Sequence, residues 1–87
     1  MALYVELQKI SETEFSAQYR FFDLNTAIEI SADNTGVVEI DKTTGEVVEI
    51  QHAQSDKSGL AFKLAAGALM KKCWMKKNYL DKLCWAS

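Results

Sequence analysis

The segment with the most chemical potential is KKCWMKK, residues 71–77, near the end of the chain. Lysines around an indole can hold phosphates while Trp74 stacks on a base, which is how proteins bind single-stranded nucleic acid. Lysines also favour the negative end of a helix, and these four project in several directions instead of forming one stripe. An acidic chain disfavours nucleic acid as a partner. The alternative nucleic-acid contacts are Lys71, Lys72, Lys76 and Lys77.

The cysteines and the single histidine do not match a reactive or metal-binding pattern. Cys73 with His52 would supply a nucleophile and a base, but no oxyanion motif adjoins them and Cys73 falls on an apolar helix face. Cys73 and Cys84 have no partner histidines, so their spacing does not predict a zinc site. Without a secretory signal, we expect two free cytosolic thiols. We expect neither enzymatic activity nor a metal or cofactor.

A second candidate surface is acidic and lies in GVVEIDKTTGEVVEIQ, residues 36–51, which contains VVEI twice. A hairpin with the three-residue loop 43–45 puts Gly45 where a positive φ is needed and places Glu39 opposite Glu49. Like charges in that position destabilise the pair, so solvent and salt, a basic group of the same chain or a partner must offset them. The face is then either simply solvated or, in the functional interpretation, offered to a basic protein partner. The predicted partner-binding face is Glu39, Asp41 and Glu49. The other face would be β-branched throughout: Val38, Ile40, Val48 and Ile50.

These residues must be positioned by an antiparallel sheet and one helix. Period-two alternation predicts strands in residues 3–10 and 15–24, a short strand in 26–30 and the two hairpin strands. From residue 56 the composition favours a helix, which Asp56 or Ser58 can cap. We therefore predict an α+β fold. It has an antiparallel four- to five-stranded sheet, arranged as a strand meander, with one long C-terminal helix packed on one face and a short C-terminal tail. The chain is one domain, divided into sheet 1–51, helix 56–77 and tail 78–87, which is either a strand or a second short helix.

The predicted helix is apolar on two sides. One side carries Phe62, Ala66, Leu69, Met70 and Cys73. The other carries Leu60, Leu64, Ala68 and Met75. A helix lying on a sheet needs only one such stripe, so we expect a homodimer or another homo-oligomer. The predicted inward-facing set is Val5, Leu7, Tyr19, Phe21, Ile28, Ile30, Val38, Ile40, Val48, Ile50, Phe62, Leu69 and Cys73.

Three aromatic residues near the end of the chain suit an interface core with a polar rim, because lysines surround them. A tail that folds back onto a small core is the alternative. These interface aromatics are Trp74, Tyr79 and Trp85.

Length and charge narrow the class of protein. With 87 residues and 48% hydrophobic side chains the chain is a small globular domain, and it has neither a transmembrane run nor a signal-peptide pattern. We expect it to be cytoplasmic, with no membrane partner. Residues 1–56 hold eleven acidic and three basic residues, net −8, whereas residues 57–87 hold seven lysines and one acid, net +6. Such asymmetry indicates a charged partner or two halves that neutralise each other.

The D-K-x-T-G-E-V hairpin and the lysine-bearing helix with its tryptophan-containing end resemble small bacterial proteins of mobile elements, some of which are similar to immunity proteins of toxin pairs. The resemblance rests on residues 36–50 and 71–86. It implies a non-enzymatic protein-binding module of immunity or inhibitor type and transfers no site residues. The alternatives are a nucleic-acid-binding protein that uses the lysine-rich helix end, and a small ligand-binding or enzymatic domain with a pocket between sheet and helix.

Overall fold

The computed structural model describes residues 4–24 and 34–86, and within them a five-stranded antiparallel sheet carries one helix. The strand order is β4-β3-β2-β1-β5, so the α+β class and the antiparallel sheet are confirmed. The predicted strand at 26–30, with Ile28 and Ile30, lies outside the described residues. The strands are β1 (Tyr4–Glu12), β2 (Ser16–Asp23), β3 (Thr35–Asp41), β4 (Val47–Gln51) and β5 (Lys82–Ala86).

The C-terminal tail is a strand, β5, and polar contacts from the sheet hold the segment that leads into it. Lys9 donates its backbone N–H to the Asp81 carbonyl at 2.8 Å and its ammonium to the Tyr79 carbonyl at 3.0 Å. The buried hydroxyl of Tyr19 donates to the Leu80 carbonyl at 2.5 Å. These bonds satisfy carbonyls that would otherwise be desolvated beside the core, so β5 is fixed next to β1.

The helix is shorter than the predicted segment 56–77. It consists of α1 (Leu60–Leu69) and a π-helical turn (Met70–Trp74) that continues it. Asp56 caps it from outside, since its carboxylate accepts the N–H groups of Ala61 and Phe62, both at 2.9 Å. No helix among the described residues is long and apolar enough to cross a membrane.

A stripe of small residues packs the helix on the sheet. Leu69 and Cys73 of the predicted stripe are buried, but Phe62 and Ala66 are half-buried and Met70 is 40% exposed. Alanines let the helix backbone approach the sheet closely, so Phe62 and Met70 lie beside the contact line, whereas Leu69 is buried in it. The other residues buried along α1 are Ala61, Ala65 and Ala68.

The strand core matches the sequence pattern except in β4. Each predicted inward residue of β1, β2 and β3 is fully buried: Val5, Leu7, Tyr19, Phe21, Val38 and Ile40. The prediction was wrong for Val48 and Ile50, which are 42% and 55% exposed. The reason is the register of the β3–β4 hairpin.

The β3–β4 hairpin has a four-residue loop, not three. Asp41 donates its N–H to the Glu46 carbonyl at 2.9 Å, so Ile40 pairs with Val47 instead of Val48. Moving one strand by one residue exchanges its two faces, which removes Val48 from the core side. A bulge at Ile50 then changes the register once more before the strand ends.

Candidate functional site

A cavity of about 900 Å³ opens where the β3–β4 turn meets the end of the helix. It lies at one end of the sheet, close to the end of β1. Its walls combine aromatic, thioether, amide and charged side chains. They include Glu12, Lys42, Trp74, Met75, Lys77 and Tyr79.

The Trp74 indole forms one wall and is fixed from two sides. Its Nε1–H donates to the Lys42 carbonyl at 3.2 Å, which joins the helix end to the hairpin turn. The ring also covers Gly45, a buried residue with φ of 78°, so closely that a Cβ there would lie 2.6 Å from Trp74 Cδ2. Trp74 is therefore held in place before any ligand arrives.

A bulge in β1 positions a pair of charged side chains, of which Glu12 lines the cavity. Lys9 pairs with Tyr19 and Glu12 pairs with Ala17, so the bulge between Lys9 and Ser11 puts Lys9 and Glu12 on the helix-facing side together. Without the bulge, alternation would place residues three apart on opposite faces. The position of Glu12 in the cavity wall, next to Lys9, thus depends on a local irregularity of the backbone.

Glu12 is the centre of this charge cluster. Its carboxylate accepts Lys42 Nζ at 2.5 Å and Lys9 Nζ at 2.7 Å, and Lys9 also lies 3.1 Å from Asp81. Hydrogen bonds from Lys42 and Lys9 lower the pKa of Glu12 to about 2.

Tyr79 adds an aromatic contact to this cluster. Lys42 Nζ lies 4.8 Å from the ring centre of Tyr79, a cation–π contact. Burial raises the pKa of the Tyr79 phenol, which stays a neutral donor near pH 7.

The end of the helix shapes the opposite rim. Asn78 donates its backbone N–H to the carbonyl of Cys73 at 3.0 Å, a hydrogen bond that spans five residues instead of the four of an α-helix. Lys77 has a φ of 53°. A residue in the left-handed region ends a helix by turning the chain sharply. This turn brings Met75, Lys77 and Tyr79 around the cavity that Trp74 borders.

The structure brings together only two of the three predicted interface aromatics. Trp74 and Tyr79 share the cavity, whereas Trp85 pairs with Val5 near the start of β1 and packs against the core. Lys71 and Lys72 stand 5.1 and 5.6 Å from the Trp85 ring centre. The predicted aromatic interface is therefore split between two places.

The four lysines proposed as nucleic-acid contacts do not form one surface either. Lys71 and Lys72 contact Trp85, and Lys72 also donates to the Cys84 carbonyl at 2.7 Å. Lys77 borders the cavity, while Lys76 is exposed beside it. The absence of a common stripe agrees with their irregular spacing along the helix.

The prediction that Glu39 faces Glu49 was wrong. Glu39 pairs with Val48 and accepts Gln18 Nε2 at 3.2 Å on the sheet face away from the helix. Glu49 pairs with Val38 on the other face and contacts His52 Nδ1 at 3.2 Å. The four-residue loop produces this separation. Asp41 serves the turn, because its carboxylate accepts the N–H groups of Thr43 and Thr44.

Two acidic residues, Glu46 and Glu49, still lie at or in β4, the last strand of the described sheet. Glu46 precedes the strand and Glu49 lies in it, with the exposed Val48 and Ile50 between and beyond them. β5, the strand at the other end of the sheet, differs in charge. Lys82 begins it and Lys72 reaches its Cys84 carbonyl.

Sequence reasoning did not select five residues of the cavity wall, which only the topology brings together: Glu12, Lys42, Thr43, Met75 and Asn78. Lys42 and Thr43 had a usable signal, since they occupy a hairpin turn next to Gly45. His52 and Cys73 are not brought together, and no group of three metal-ligating side chains occurs in residues 4–24 and 34–86. The chain matches no protein-family model, no curated protein and no solved structure.

Proposed function

We propose that the protein is a non-enzymatic protein-binding module that holds an extended basic segment of its partner along β4. One observation carries the proposal: β4 ends the described sheet, exposes 42% of Val48 and 55% of Ile50, contains Glu49 and directly follows Glu46. A terminal strand offers backbone donors and acceptors on its outer side, and partner strands are commonly added there.

Charge selects the kind of strand that fits. Residues 35–51 hold four acids and one base, and that base, Lys42, is paired with Glu12. A strand with basic residues on both of its faces would pair one with Glu46 and another with Glu49, which lie on opposite faces of the sheet, and its apolar residues would cover Val48 and Ile50. A second copy of β4 would bring like charges together, which disfavours self-pairing at this edge.

The role we propose is that of a bacterial accessory protein of immunity or inhibitor type. The resemblance of the hairpin and the helix end to small proteins of mobile elements supports it. The partner would then be a protein with a basic surface segment, and binding of that segment to β4 would cover it. Nucleic acid is the alternative partner, and the test below separates the two.

The test is capture of the partner from host lysate with tagged protein, with and without nuclease, followed by mass spectrometry. Glu49→Lys reverses a charge on β4, and Glu14→Lys makes the same change on the exposed β1–β2 turn. We expect wild type and Glu14→Lys to retain one basic protein after nuclease. Glu49→Lys should lose most of it while its melting temperature stays near that of wild type.

A purified partner then allows the affinities to be compared directly. We expect Glu49→Lys and Ile50→Lys to weaken binding about tenfold or more, because each places a charge against the basic strand. Equal affinity of Glu49→Lys and Glu14→Lys would overturn the proposal. Material lost on nuclease treatment would instead move the function to nucleic acid and the lysines at the helix end.

A further inference from the structure

We propose that the cavity between the β3–β4 turn and the helix end binds a small aromatic carboxylate. This site lies on the helix side of the turn and does not depend on β4, so it goes beyond the proposed function. Two observations carry it: aromatic walls that are already fixed, and lysines that are only partly neutralised.

The walls suit a flat ring. The indole of Trp74 is held by the Lys42 carbonyl and by Gly45, and the Tyr79 ring lies under the Lys42 ammonium. Met75, 68% exposed, adds a flexible apolar wall. Cavities of about 300–1,000 Å³ accommodate small organic molecules, and 900 Å³ lies within that range. Because the walls need little rearrangement, less conformational entropy is lost on binding.

The polar groups suit a carboxylate. Glu12 already accepts two ammonium groups, so its repulsion of an incoming anion is largely offset. Lys77 has no acidic partner within ion-pair distance in the described part of the chain. Lys42 donates to Glu12 through one of its three N–H bonds and keeps donors for a ligand. Charge-assisted bonds from such lysines are about twice as strong as neutral ones.

The indole N–H of Trp74 is already occupied by the Lys42 carbonyl, so the indole offers only its ring to a ligand. Stacking therefore positions the ring of the ligand, and the lysines determine its charge. A neutral aromatic compound would gain only the first contribution, and an aliphatic acid only the second. An aromatic acid gains both, which makes benzoate the simplest probe.

The test uses the two tryptophans as separate reporters. In ¹H–¹⁵N correlation spectra of the full chain, the indole N–H of Trp74 reports on the cavity and that of Trp85 on β5, where Trp85 pairs with Val5. We expect benzoate to shift the Trp74 signal saturably and to leave Trp85 unchanged. Benzamide and acetate should bind about tenfold more weakly than benzoate.

Matched variants test the charge. Lys77→Asn removes the cavity lysine and keeps a residue type that tolerates a positive φ, whereas Lys76→Asn removes an exposed lysine beside it. We expect benzoate affinity to fall about tenfold in Lys77→Asn and to stay the same in Lys76→Asn. Both variants should melt near the wild-type temperature.

In the titrations with benzoate and benzamide, three outcomes would overturn the inference: no saturable shift at about 10 mM benzoate, equal shifts at Trp74 and Trp85, or equal binding of benzoate and benzamide. A peptide ending in phenylalanine presents the same ring and carboxylate at a chain terminus. If that peptide binds more tightly than benzoate, the free small acid is the wrong ligand.

The Glu49→Lys variant separates this inference from the proposed function. We expect this variant to bind benzoate like wild type, even though it should lose the protein partner.

Discussion

Gly45 is the residue at which backbone conformation and packing restrict the sequence together. Its φ is 78°, and a Cβ would lie 2.6 Å from the Trp74 ring. Gly59 has nearly the same φ, 76°, but no neighbour within 4 Å of such a Cβ. We predict that Gly45→Ala lowers the free energy of unfolding by about 2–4 kcal/mol and Gly59→Ala by about 1 kcal/mol. Urea unfolding measures both.

Gly67→Ala is the control for this glycine series. Gly67 lies inside α1 and a Cβ there meets nothing within 4 Å. The substitution should raise stability by about 0.5–1 kcal/mol, because alanine is the better helix former. Equal losses at Gly45 and Gly59 would contradict the close packing of Trp74 on the hairpin turn.

Glu12 gives the fold a defined pH dependence. Lys42 and Lys9 lower its pKa from 4.5 to about 2, so the folded state favours its charged form. The stabilising contribution is therefore complete above pH 4.5 and is lost as the pH falls towards 2. We predict that Glu12→Gln lowers the melting temperature at pH 7 and that the difference from wild type closes over this interval. Circular dichroism melts at a series of pH values measure it.

Glu14→Gln is the matched control, because Glu14 is exposed and lies in the β1–β2 turn, which begins directly after Glu12. This variant should follow wild type at every pH. A Glu12→Gln difference that persists unchanged at pH 2 would show that the pair with Lys42 is not its source.

At the scale of elements, the start of α1 depends on one carboxylate. The Asp56 side chain is 3% exposed and accepts two of the first N–H groups of the helix, whereas Ser58 is exposed and makes no such bond. We predict that Asp56→Ala lowers the free energy of unfolding by about 1–2 kcal/mol and that Ser58→Ala changes it by less than about 0.5 kcal/mol. Equal effects in guanidinium unfolding would contradict this assignment of the cap.

The hairpin shows which part of the fold a sequence can predict. Alternation predicts β1, β2 and β3 because half-buried strands need it, and Gly45 correctly indicates the turn. Loops of three and four residues both leave Gly45 with a positive φ, so local pattern does not choose between them. In the folded chain Trp74 packs on the turn from 29 positions away along the sequence. The four-residue loop sets the register of β3 and β4, and therefore the sheet faces on which Glu39 and Glu49 lie. It is this loop that Trp74 contacts.

The candidate cavity could not be predicted for the same reason. Its residues come from the end of β1, the hairpin turn and the end of the helix, which only the strand order brings together. The β-bulge after Lys9 also shifts the register between β1 and β2, and an alternating sequence pattern does not indicate such a shift. The sequence did identify Trp74, Tyr79 and the lysines as unusual, since their residue types alone carry that information.

At the scale of the whole molecule, the charge split is not cancelled by ion pairs between the two halves. Among the ion pairs of the described residues, only that of Lys9 with Asp81 joins the acidic residues 1–56 to the basic residues 57–87. The acidic hairpin and the lysine-rich helix end therefore keep their opposite charges, although Trp74 packs on the hairpin turn. Such a distribution steers charged partners before they make contact.

The predicted homodimer belongs to this scale as well. α1 and its π-helical turn leave Leu60 39% and Met70 40% exposed. A chain this small buries a limited core, so covering these residues with a second copy would add stability. The Cα radius of gyration of one chain is 11.9 Å. A compact dimer should give about 16 Å.

Small-angle scattering at high micromolar concentration tests the dimer. We predict the larger radius for wild type and the monomer value for Met70→Lys, which puts a charge into the apolar contact. Ile10→Lys is the control, because Ile10 is also 40% exposed but lies on β1. A wild-type radius near 12 Å would contradict the homodimer. Dissociation by Ile10→Lys but not by Met70→Lys would place the contact on β1 instead of on the helix.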